Sequence, residues 1–135
     1  MDYKIIDIQG VGEVYAEKLI AAGIETVSQL LENGKTPKDR KALEEKTGIS
    51  GKLLLTWINH ADLFRINGIG PQFSELLEAA GVDTVKELAT RNAENLEKKM
   101  NETNEEYKRS GRVPTAAELQ DWIDQAKNLP PMLTY

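Results

Sequence analysis

The 135-residue chain contains no cysteine, which excludes a disulfide framework, a thiolate metal site and a thiol nucleophile. Histidine is nearly absent too. With His60 as its one imidazole, the chain offers neither a nucleophile–base pairing nor a metal-ligand spacing. His60 itself reads as a partly exposed helix residue. No run approaches the roughly 18 apolar residues that a membrane helix needs, and the start, MDYKIIDIQG, lacks the basic-then-apolar build of a secretory leader. A positive excess is missing as well. The formal net charge is −5; residues 1–62 carry 8 basic and 10 acidic side chains, and residues 63–135 carry 9 and 12. Neither half has the surplus of cations with which nucleic-acid binders neutralise phosphates. These absences lead to the expectation of a cytoplasmic chain without membrane contact, catalytic centre, cofactor or small-molecule substrate.

What the chain does have is a repeat. IDIQGVGEVYAEKLIAAGIETVSQLL (6–31) returns 58 residues later as FRINGIGPQFSELLEAAGVDTVKELA (64–89), identical at 11 of 26 ungapped positions. A weaker echo follows, in which LLLTWINHA (53–61) matches ELQDWIDQA (118–126). The repeat divides the chain into residues 1–62, residues 63–128 and an irregular tail, 129–135, where Pro130-Pro131 cannot continue a helix.

Helix signals dominate and no stretch alternates as a strand, so the fold class is all-α, with many short helices. Thr26 with Gln29, Thr84 with Glu87 and Thr115 with Glu118 fit the capping box, and Thr36-Pro37 with Asp39 is a simpler start. Gly23, Gly34, Gly48, Gly81 and Gly111 each follow a helical pattern, where a left-handed stop suits glycine. Leu54, Trp57, Ile58 and Ala61, and likewise Leu119, Trp122, Ile123 and Ala126, share one helical face each. Both sets read as core stripes.

The sharp turns QGVG and NGIG reverse the chain within a few residues and hand over to a helix. Val11 and Ile69 point inward, and the amides beyond them open the next helix, where an anion is favoured. Apolar-x-Gly-apolar-Gly, an Ala-rich helix and AAG(I/V)x-T-V-x-x-L together resemble the helix-hairpin-helix motif. A sharp turn followed by a degenerate one (TGISGK at 47–52, SGRVPT at 110–115) resembles its paired form, here present twice and packed into one compact unit. Over roughly residues 4 to 127 the chain is most similar to a tandem family catalogued only as a domain of unknown function.

That resemblance implies sequence-independent DNA binding, with hairpin amides gripping phosphates, a nearby Lys or Arg, and a monovalent cation at the hairpin. Carried onto this chain, the donors are Gly10, Val11, Gly12 and Glu13 and then Gly68, Ile69 and Gly70, supported by Lys18, Lys108, Arg109 and Arg112. The sequence departs from the pattern at Glu13, where DNA binders are often basic, and at Pro71, which has no amide. Basic residues gather instead at 35–41 and 108–112, positions that also suit cations at helix ends. Two function classes therefore stay open: a non-enzymatic DNA-binding module, or a protein-interaction module that keeps the hairpin fold without its phosphate chemistry.

Overall fold

A computed structural model describes residues 2–107 and 111–135. Within them the chain is helical. A 3-10 turn at Ile5–Asp7 precedes α1 (Gly12–Ala21), α2 (Val27–Glu32), α3 (Pro37–Thr47) and α4 (Gly51–Leu63). After these come α5 (Pro71–Ala79), α6 (Val85–Ala89), α7 (Ala93–Tyr107) and α8 (Ala116–Asn128). The single extended contact among the described residues is an isolated antiparallel bridge between Lys4 and Thr26. The chain forms two compact units: residues 1–62 with 132–135, and residues 63–131.

Local chemistry starts and stops these helices. Thr26 and Thr115 each accept the N3 amide while Gln29 and Glu118 return the bond, completing both capping boxes. Thr36 and Thr84 accept the amides of Asp39 and Glu87. Glu87 does not complete a box. Its carboxylate takes Arg91 Nε at 3.0 Å, a partner one helical turn on that competes with the cap. Gly23, Gly48 and Gly81 stop their helices at positive φ as expected.

Gly34 and Gly111 differ, because neither sits in the left-handed region. Gly34 is needed for space: a Cβ there would collide with the Ile58 side chain. Two cations complete the carbonyl ends that follow the sharp turns. Lys46 Nζ donates to Ala22 O at 3.1 Å in the first unit, and an Arg91 Nη to Gly81 O at 3.1 Å in the second.

In the first unit Leu19, Leu30, Leu54 and Ile58 are wholly buried, with Trp57 2% exposed. His60, in the same helix, is 3% exposed, which corrects the reading of a partly exposed residue. It falls three residues after Trp57, so the helix face that buries the tryptophan takes the imidazole inside with it. The tail is fastened within this unit. Thr134 N–H donates to Lys35 O at 2.8 Å, an Arg40 Nη donates to Thr134 O at 2.6 Å, and Tyr135 Oη donates to Asn59 Oδ1 at 2.8 Å.

The second unit centres on Leu76, Leu77, Leu88, Met100, Leu119 and Trp122, all buried, with α8 packed on α6 and α7. Burying side chains of this size stabilises by about 1.5–3 kcal/mol each.

Candidate functional site

The two sharp turns are anchored alike in their separate units. Ile8 and Val11 are buried in the first, and the Val11 amide donates back to Ile8 O at 3.2 Å. In the second, Ile69 donates to Ile66 O at 3.2 Å, and both are buried. Two of the expected phosphate donors, Val11 and Ile69, are thus engaged inside their own turns. Their work is to anchor, because a buried amide has to find an acceptor nearby. Gly10 (φ 89°), Gly12 (φ 66°) and Gly68 (φ 105°) carry the chain through angles that L side chains rarely adopt.

Beyond each turn a helix starts without a cap. The N-cap of α1 is Val11 and that of α5 is Gly70, and neither makes a side-chain hydrogen bond. The other six helices of the described residues each have a first-turn amide held by Thr26, Thr36, Ser50, Thr84, Asn92 or Thr115. The open donors are the amides of Gly12, Glu13 and Val14 on α1 and of Gln72 and Phe73 on α5, since the first turn has no intrahelical acceptors and Pro71 has no N–H. Glu13 and Gln72 are exposed at these starts.

An aromatic pair lies beside each turn. Tyr15 and Trp57 have ring centroids 5.2 Å apart at 58°, and Phe73 and Trp122 have them 5.4 Å apart at 54°. A cation stands over the outer ring in both units: Lys18 Nζ is 5.7 Å from the Tyr15 centroid, and the Arg112 guanidinium 5.2 Å from that of Phe73. Sequence reasoning passed over Tyr15 and Phe73. Their signal was available, because they occupy matching positions of the repeat in a chain that is only 6% aromatic.

The basic candidates fare differently from one another. Lys18 is exposed. Arg112 forms a two-pronged pair with Glu118, Nη1 to Oε1 at 2.7 Å and Nη2 to Oε2 at 2.8 Å. Arg112 and the Thr115 amide hold the Glu118 carboxyl down at about 2, and Glu118 raises Arg112 in return. Lys108 and Arg109 lie outside the described residues. In the other basic cluster, Arg40 is buried and holds the carbonyls of Gly34 and Thr134, so it is a structural cation. No group of three or more His, Asp or Glu side chains among the described residues is gathered as a metal site, and no helix is long and apolar enough to cross a membrane.

The chain belongs to the family described as Domain of unknown function (DUF4332), whose model matches residues 9–129. No curated protein and no solved structure matches it.

Proposed function

We propose that the chain is a non-enzymatic, cofactor-independent module built of tandem helix-hairpin-helix repeats that binds DNA through its phosphates, weakly and without reading sequence. The observation that carries this reading is the pair of uncapped helix starts. Among the described residues, six helices have a first-turn amide held by a nearby side chain, and the two that do not follow the repeated glycine turns. Open amides at a helix start attract a phosphate oxygen through hydrogen bonds and the helix dipole. Backbone donors contact phosphate and carry no base information, hence the lack of sequence preference.

Affinity is low because few cations help. Lys18 is the described cation of the α1 site, Arg112 is paired with Glu118, and Glu13 competes for the α1 amides. A monovalent cation lodged at the hairpin would offset part of that acidity.

Fluorescence anisotropy of a labelled duplex, titrated at low and at physiological salt, tests the reading. Each phosphate neutralised contributes about 0.9 to the log–log salt slope. Glu13→Lys should tighten binding and steepen the slope by about one phosphate's worth, and Lys18→Gln should do the reverse. Absence of binding even at low salt would overturn it.

A further inference from the structure

The first unit carries an apolar groove of about 260 Å³ between the 3-10 turn and α1, floored by Ile5, Ile6, Ala16 and Ile20 and edged by Lys4 and Glu25. That is smaller than the roughly 300 Å³ at which small-molecule sites begin, and suits one or two inserted side chains. Two of its residues are unusually open: Ile6 is 44% exposed and Ile20 50%. The repeat supplies an internal control. At the positions matching Ile6 and Ile20 the second copy has Phe64, packed against its core, and Glu78, a charged surface residue. The fold therefore does not require an open isoleucine at residue 20.

Charge says what fits there. Glu13 and Glu17 precede Ile20 by seven and three residues on α1, which sets them on or beside its helical face. Both are exposed, as is Glu25, and no described residue pairs with these three carboxylates. Lys4 and Glu25 edge the groove itself, Glu13 and Glu17 extend the acidic side along α1, and the Lys46 ammonium at the end of that helix is already held by Ala22 O. A second copy of the chain would bring a like-charged rim against this one, which is unfavourable.

We infer that this groove docks a basic amphipathic helix of another protein, which inserts an apolar side chain between Ile6 and Ile20 and sets Lys or Arg against Glu13, Glu17 and Glu25. Anchors recurring on one helical face and a complementary charged flank are how such helices are held. The inference does not rest on the DNA-binding reading, although Glu13 borders both sites.

The test is a heteronuclear NMR titration of the ¹⁵N-labelled full chain with a synthetic leucine/lysine amphipathic peptide and with its leucine/glutamate counterpart. The lysine peptide should move the amides of Ile6, Ala16, Ile20 and Glu25, and the glutamate peptide should not. Ile20→Glu, the residue type that the second copy carries, should weaken binding at least about tenfold, as loss of a central anchor does, while the rest of the spectrum stays in place. Should that variant fail to fold, Ile6→Ser takes its role.

Equal response to both peptides, shifts elsewhere that Ile20→Glu leaves unchanged, or no response would overturn the proposal. So would concentration-dependent shifts of these amides in the chain alone, which would make a second copy the occupant.

Discussion

A Cβ added to Gly68 would stand 2.7 Å from Nε1 of Trp122, nearly along the indole N–H, with Cε2 at 3.5 Å and Cδ1 at 3.7 Å. The tryptophan of the last helix is thus closed over by the glycine of the sharp turn. At the matching position of the first unit a Gly10 Cβ would be 3.9 Å from Trp57 Nε1, an ordinary contact.

The two glycines should therefore respond unequally to alanine. Both lie at positive φ, which costs about 1–2 kcal/mol for a residue with a side chain. Gly68→Ala must also displace Trp122, and forcing extra volume into a packed site adds about 1–3 kcal/mol. Urea denaturation followed by tryptophan fluorescence should rank Gly68→Ala clearly below Gly10→Ala; equal losses would refute the packing argument. Glycine substitutions are for the same reason poor probes of binding here.

Gly70→Asp is a cleaner probe. Gly70 already has the extended backbone of an N-cap (φ −114°, ψ −169°), so a side chain can adopt it. Aspartate in place of glycine at an N-cap gains a few tenths of a kcal/mol and fills the open amides of α5 with the chain's own carboxylate. Stability should hold or rise slightly while DNA affinity falls. A loss of both would mean that the turn had been damaged, and unchanged affinity would remove α5 from the site.

The Arg112–Glu118 pair gives a pH signature. The folded carboxyl is held at about 2 by Arg112 and the Thr115 amide, below its ordinary 4.5. A lowered folded pKa adds stability that is complete above the unfolded value and is lost as pH falls toward the folded one. The start of α8 should loosen between about pH 4.5 and 2. Carboxyl NMR should find Glu118 ionised well below the ordinary carboxylate range, and Arg112→Gln should return it toward that range. An unshifted Glu118 in the parent chain would show the pair to be broken in solution.

Arg40→Ala should free the tail. It removes donors to Gly34 O at 2.8 Å and Thr134 O at 2.6 Å, and a guanidinium 5.5 Å from the Tyr135 ring centroid. Hydrogen bonds from a charged group contribute about 1.5–3 kcal/mol, so the midpoint should drop and amide exchange at residue 134 should accelerate. A variant as protected as the parent would show that the backbone bond to Lys35 suffices.

Much of the fold could be read from residues whose meaning is local. Thr26, Thr36 and Thr115 start helices because a hydroxyl and an amide three residues on are neighbours in any such chain. Gly23, Gly48 and Gly81 stop them because the left-handed angle penalises a Cβ. Trp57 and Trp122 went inside because apolar residues recur on their helical faces. What a helical period cannot say is which groups meet from distant parts of the chain.

The sequence by itself determined the helices, the repeat and the two glycine turns, since each depends on backbone preference and on spacing within one or two helical turns. Tertiary structure decided the rest. It closed Gly68 over Trp122 and Gly34 over Ile58, tied Arg112 to Glu118, buried Arg40 under the tail, and left Val11 and Ile69 bonded within their turns. It also left α1 and α5 uncapped and Ile20 in the open. These outcomes depend on which side chains packing brings within a few ångströms, and contact at that range follows from the fold as a whole.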